Sequence, residues 1–299
     1  MLGINIAIIG GSGGMGKVFA KYFKNHGFKV TLYARTEDRL IKVAKELNVE
    51  YRTNLKDSVK DADIVMVSIP ISSTTEMITK IAPYLKRNAI LFDISSVKTS
   101  VFKALDEART HYPINCISLH PMFGPGIENM KNYVMIFLKV GGTKDYEGLI
   151  DELLQIFKSD GLLLTETTQI LHDKLMALTL GIPHMLNIIF LNLLKKSNFS
   201  LRELTKYTGT TFLLQKVFAE SIIQREMEMF GEIQMENHEF LSILDSLETL
   251  IKDYKKIISN KDINQFNMLF TQGLNYSKDD DHYNNSYRYF YEFINILKK

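Results

Sequence analysis

Residues Gly11-Ser12-Gly13-Gly14-Met15-Gly16 fit the spacing G-x-G-x-x-G, between the apolar run Ile6 to Ile9 and KVFAKYFKNHG, a stretch with helical spacing. In such a turn one glycine allows the sharp strand-to-helix reversal, a second lets bare backbone approach a pyrophosphate, and a third lets helix pack close on strand. The helix start then presents unpaired N–H groups and a partial positive charge to phosphate. Residues 11 to 16 therefore read as a dinucleotide cradle; a structural turn would not need four glycines in six residues. The next strand, Val30 to Tyr33, runs into Ala34-Arg35-Thr36. A carboxylate at that place accepts from the ribose 2′-hydroxyl of NAD and repels a 2′-phosphate. A guanidinium there forks onto phosphate instead, so Arg35 and Thr36 predict NADP over NAD; the bland alternative for Arg35 is a solvated loop charge.

Five further residues could do chemistry. His120 ends an apolar run and is followed at once by Pro121. A neutral imidazole there could accept a proton from a hydroxyl undergoing oxidation, or it could simply cap a turn. Ser96 precedes VKTSVFKALDEA and reads as a helix N-cap, a role compatible with holding a substrate hydroxyl. His184 follows Pro183 in an apolar helical run, where a satisfied core histidine is the ordinary outcome. On a straight helix Asp173 shares its face ~16 Å away, and a lone buried carboxylate is costly. Lys206 could bind a substrate carboxylate or be an ordinary surface lysine. The seven histidines are scattered and there is one cysteine, Cys116, so no metal site is expected.

Elements that would position these residues follow from the pattern. Apolar runs at Val30 to Tyr33, Asp63 to Ile69, Ala89 to Asp93, Cys116 to Leu119, Tyr133 to Val140 and Leu162 to Thr165 alternate with helical stretches. That alternation predicts a doubly wound parallel sheet, with ligands beyond the C-terminal strand ends. The polar stretches 68–75, 93–98 and 120–126 fall at those ends, which adds Ser68 and Pro70 to the cofactor contacts. From about residue 168 the pattern turns helical, over 168–198, 201–231 and 233–260. The expected organisation is thus an α/β dinucleotide-binding domain over 1–167 and an all-α domain over 168–299. The run LMALTLGIPHMLNIIFLNLL is too apolar for a helix with one wet face and predicts burial against a partner subunit.

Bulk properties narrow the class. The chain has 299 residues, 45% hydrophobic and 23% charged, with a formal net charge of +2. That charge gives no reason to expect nucleic acid or a membrane surface as partner. Gly181, Pro183, His184 and two asparagines interrupt the apolar run, so it is not expected to span a membrane. The start, MLGINIAIIGG, lacks a basic segment and is consumed by the first strand, so it is not expected to be a leader. A single cysteine fits a reducing cytoplasm.

GGSGGMG, DISSVK, SLHPMFGP and HDKLMALTLGIPH, in that order, resemble the prephenate/arogenate dehydrogenases of tyrosine biosynthesis. The resemblance spans roughly residues 5 to 260. It implies a Rossmann nucleotide-binding domain joined to a helical dimerisation domain, and NAD(P)-dependent oxidative decarboxylation of prephenate to 4-hydroxyphenylpyruvate and carbon dioxide. Arogenate, giving tyrosine directly, is the alternative substrate. His120 would then be the catalytic acceptor for the ring hydroxyl, Ser96 would assist at the same hydroxyl, and His184 would lie in the substrate pocket near the nicotinamide. Lys206 stands where many members have a carboxylate-binding arginine, and Gly126 where many have a glutamate; HPMFGP is most similar to the arogenate-using plant enzymes. A β-hydroxyacid-type dehydrogenase, which relies on a helical lysine, and a non-catalytic NADP sensor are the competing readings.

Overall fold

The structure, a computed structural model, describes residues 3–298. Met1 and Leu2, which open the N-terminal segment read above, lie outside the described residues. The chain packs as two compact units, one of residues 1–176 with 231–237 and one of 177–230 with 238–299. The first thus takes back a short piece of later chain.

The first unit is built on eight strands: β1 (Asn5–Ile9), β2 (Lys29–Tyr33), β3 (Glu50–Tyr51), β4 (Ile64–Val67), β5 (Ile90–Asp93), β6 (Asn115–Pro121), β7 (Val134–Gly141) and β8 (Leu163–Glu166), in the spatial order 3-2-1-4-5-6-7-8. Helices α1 (Gly14–Asn25), α2 (Glu37–Leu47), α3 (Leu55–Val59), α4 (Ile71–Ile81), α5 (Thr99–His111) and α6 (Tyr146–Ser159) connect them, and α7 (Gln169–Met176) follows. The central strands are apolar on both sides because both faces are covered. Ile6 and Ile8 join one buried cluster with Phe19 and Phe23 of α1, while Ala7 and Ile9 join the other with Ile78 of α4 and Leu105 of α5.

β1 to β6 are mutually parallel, as the alternation predicts. β7 runs antiparallel to β6, and β8 follows β7 in its reversed direction. The reason is local: residues 122–133 between β6 and β7 contain no helix, and a parallel return needs a helical crossover.

The second unit holds a π-helical turn (Ala177–Gly181) and helices α8 (Ile182–Lys196), α9 (Leu201–Thr205), α10 (Thr210–Ile223), α12 (Phe240–Ser259), α13 (Ile263–Ser277) and α14 (Ser286–Leu297). Helix α11 (Met227–Met235) begins in this unit and ends in the first. A small core of Ala177, Met185 and Phe240 is extended by Ile243, Leu244 and Leu247. Leu186, Ile189 and Leu193 of α8, spaced for one helical face, are 45, 51 and 64% exposed. Residues 169–196 are long and apolar enough to cross a membrane, with a mean hydropathy of 1.7.

Candidate active site

The glycine turn lies where β1 meets α1. Gly10, one residue before the motif, takes φ +84°, and a side chain on it would sit 2.0 Å from the Ser68 carbonyl oxygen. The reversal that the first glycine of the motif, Gly11, would provide thus falls to Gly10, while a Cβ on Gly11 would meet the Leu32 side chain. Gly16 does what its place in the motif demands: a Cβ there would lie 2.4 Å from the Gly10 carbonyl oxygen. Helix α1 starts at Gly14 with Gly13 as N-cap and no side-chain cap, so its first N–H groups stay free for an anion. Ser12 is buried, and Gly13, Gly14 and Met15 are half-buried. Ser68 and Pro70 follow β4, next to this turn in the sheet. Arg35 and Thr36 are exposed beyond β2, and among the described residues Arg35 has no carboxylate partner. Bare backbone at an uncapped helix start fits the pyrophosphate of a dinucleotide.

Beyond β4 in the sheet, the ends of its neighbour β5 and of the next strand, β6, carry a buried polar network. Asp93 at the end of β5 accepts from the Ser95 amide at 2.7 Å, the Ser118 hydroxyl at 2.5 Å and the Lys98 Nζ at 2.8 Å. Lys98 also donates to the Leu119 carbonyl at 2.6 Å, the residue before His120. Burial lowers the Lys98 ammonium's pKa from its ordinary value, against the opposing pull of Asp93 and Asp173.

His120 is 3% exposed. Its Nδ1 stands 2.9 Å from His172 Nε2, and His172 Nδ1 stands 2.8 Å from Asp173 Oδ1. The Asp173 carboxylate also accepts from the Lys98 amide and from the Thr99 amide and hydroxyl, at 2.8, 2.8 and 2.6 Å. It therefore caps helix α5 and is not the lone carboxylate the sequence implied. Although burial alone raises it, those hydrogen bonds hold the Asp173 carboxyl below its usual range. Burial, then the neighbouring His172 and Lys98, push the His120 imidazole well below its ordinary value. His172 is lowered too, chiefly by burial. His120 is thus neutral near pH 7 and able to accept a proton.

The remaining sequence candidates divide. Ser96 is half-buried, and among the described residues its hydroxyl has no partner. It is not the helix N-cap, since α5 begins at Thr99 and the Asp173 carboxylate caps it. Pro125, in the loop after His120, approaches the glycine turn: a Cβ on Gly14 would meet it at 3.0 Å. His120, Ser96 and the turn therefore share the C-terminal side of one sheet, with β6 three strands from β1, about 14 Å across.

His184 and Lys206 belong to the second unit. The π-turn Ala177–Gly181 interrupts the straight helix on which His184 and Asp173 would share a face. The His184 ring packs edge-on to Phe230, its Nδ1 is buried without a partner, and burial lowers its pKa to about 4. Lys206 is exposed just after α9, whose start is fixed by a Ser200–Glu203 capping box. The sequence does not single out His172, Lys98, Asp93, Ser118 or Thr99 as site residues; the adjacent His-Asp pair and the lysine of DISSVK are the signals that point to two of them.

An eight-stranded, mostly parallel sheet with a bare glycine turn and a neutral histidine at its carboxyl edge, followed by a helical unit, defines a two-domain Rossmann-type nucleotide-binding protein. The family description "Prephenate dehydrogenase, nucleotide-binding domain" matches residues 19–135, and "Prephenate dehydrogenase, dimerization domain" matches 169–272. The chain belongs to the prephenate/arogenate dehydrogenase family. A relative from Methanocaldococcus jannaschii, "Probable arogenate/prephenate dehydrogenase", is 31% identical over 259 residues, covering 87% of this chain and 58% of its own. The "T-protein" of Haemophilus influenzae is 26% identical over 257 residues, covering 86% of this chain and 63% of its own. The chain thus spans about six-tenths of the length of these curated relatives. A crystal structure of prephenate dehydrogenase from A. aeolicus, in complex with hydroxyphenyl propionate and NAD+, matches with TM-score 0.74 and 21% identity, covering 93% of this chain and 98% of that one. At that identity the likeness concerns the fold.

Proposed function

We propose that this chain is an NAD(P)-dependent dehydrogenase that converts prephenate to 4-hydroxyphenylpyruvate and carbon dioxide. The observation that carries the reading is His120: buried, near the end of β6 on the side of the glycine turn, with Nδ1 held by His172 and an Nε2 that has no partner among the described residues. In the reaction the substrate's ring hydroxyl gives its proton to that nitrogen while its carbon is oxidised and the ring carboxylate leaves as carbon dioxide. The nicotinamide, when bound, supplies the hydride acceptor. Aromatisation makes the step downhill, so the protein's part is to orient the reactants and hold the proton.

Ser96 is the second proposed contact to the hydroxyl, through its unpartnered oxygen. His184, with its unpartnered buried Nδ1, and Lys206, an exposed ammonium for the side-chain carboxylate, are proposed substrate contacts. Gly11, Ser12, Gly13, Gly14, Met15 and Gly16 would hold the pyrophosphate, with Ser68 and Pro70 beside them. Arg35 and Thr36 would hold the 2′-phosphate, making NADP the preferred cofactor. Residues 1–167 would form the dinucleotide-binding domain and 168–299 the substrate and dimerisation domain. The exposed face of α8 would be covered in a homodimer. A cytoplasmic location fits a chain whose one cysteine, Cys116, is a free buried thiol.

Arogenate is the second reading, favoured by the HPMFGP segment with Gly126 where many members have a glutamate. Steady-state assays crossing prephenate and arogenate with NAD and NADP test all of this together. Turnover of either substrate with a reduced cofactor as product is expected; its absence in all four combinations would overturn the reading.

A further inference from the structure

We propose that His172 is a positioning residue for the oxidation: through its hydrogen bond it fixes the His120 tautomer that leaves Nε2 unprotonated and open to the substrate hydroxyl. The inference deepens the function proposed above and rests on it. It begins at the far end of the chain of contacts, with a group whose role is unambiguous. An ionised carboxylate can only accept hydrogen bonds. Asp173 Oδ1 takes one from the Lys98 amide and Oδ2 takes two from Thr99. Backbone groups at the start of α5 provide two of these donors, so the carboxylate cannot turn away without uncapping the helix.

His172 Nδ1, 2.8 Å from Oδ1, must therefore carry the proton. In a neutral ring its Nε2 is then a lone pair. That lone pair faces His120 Nδ1 at 2.9 Å, so His120 Nδ1 is the donor in turn. The proton of His120 is thus placed on Nδ1, and Nε2 is left as the acceptor. The opposite tautomer would bring two lone pairs together in a buried space. Neither Lys98 nor Asp93 competes for His120: the ammonium is spent on Asp93 and the Leu119 carbonyl, and Asp93 on Lys98, Ser95 and Ser118. His172 itself has no exposed surface, so it acts on substrate only through His120.

Two measurements test this. The first is a long-range 1H–15N spectrum of the full chain labelled at histidine, with His120→Asn and His172→Asn used to assign signals. Wild-type His120 should show a protonated Nδ1 and a bare Nε2 without any substrate present. His172→Gln, whose amide carbonyl still accepts from Nδ1, should keep that pattern; His172→Phe should lose it. The second is steady-state kinetics on the same variants. His172→Phe should lower kcat by about 10²-fold, the cost of a misplaced catalytic group, with the KM for cofactor unchanged, and His172→Gln should recover most of it. Should His172→Phe fail to fold, the wild-type spectrum and His172→Gln remain decisive. A wild-type His120 protonated at Nε2, or a His172→Phe enzyme with full kcat, overturns the assignment. A wild-type chain inactive on both substrates overturns the functional reading alone, because the tautomer is read without substrate.

Discussion

At position 120 an imidazole enclosed by packing, with His172 and Lys98 beside it, stays neutral at pH values where an ordinary histidine is half charged. The profile of kcat/KM against pH should therefore run flat through about pH 6.5 and fall only further into acid. An acidic limb centred on the ordinary histidine value would point to another acceptor. Replacing His120 by alanine should lower kcat by ~10²–10⁴-fold, the usual share of a general base, with cofactor affinity little changed. At the other end of the sheet, Arg35→Ala should weaken NADP by roughly 10- to 100-fold, as loss of a charge-assisted bond of about 1.5–3 kcal/mol implies. NAD should bind as before, which comparative titrations would read. The placement of His120, Ser96 and the glycines just at or after strand ends was legible because each has a telltale neighbour. His172 was not, since its meaning lies in a contact across 52 residues of chain.

Among the elements, the buried strands β1, β4 and β5 were readable because covering both faces forces every residue to be apolar. The reversal of β7 was not, because its strand pattern is the same in either direction and only the missing crossover decides. The π-turn before α8 was equally silent: it adjusts packing without changing composition. At its last residue the Phe240 ring packs close, since a Cβ on Gly181 would lie 2.7 Å from it. Gly181→Ala should then destabilise the chain by about 1–3 kcal/mol, the range for overpacking, seen as a lower urea midpoint. No loss on urea titration would mean the ring moves aside freely.

For the whole molecule, acid should be more damaging than the surface charges suggest. Burial lowers His184 to about 4, whereas the unfolded ring titrates near 6.5. Unfolding then takes up a proton between those values, so stability rises with pH across that window and the full penalty is felt below about 4. His120 and His172 are shifted the same way. Melting temperature should climb from pH 4 to 6.5, and His184→Leu should make the climb shallower. If α8 is covered by a second copy, charges at Ile189 and Leu193 should split the dimer, which light scattering would detect.

The short return of residues 231–237 to the first unit has a consequence for how this protein can be cut and recombined. Glu232 accepts from the Ile71 backbone amide at 2.8 Å and from the Ser72 hydroxyl, and the Asn237 side-chain Nδ2 donates to the Asp173 backbone carbonyl at 2.8 Å. A fragment ending at Met176 would leave the start of α4 uncapped and the Asp173 carbonyl, beside the His172–Asp173 pair, without its Asn237 partner. The nucleotide half is therefore not a self-contained cassette: shuffling it onto a foreign helical partner would need that partner to bring its own clasp.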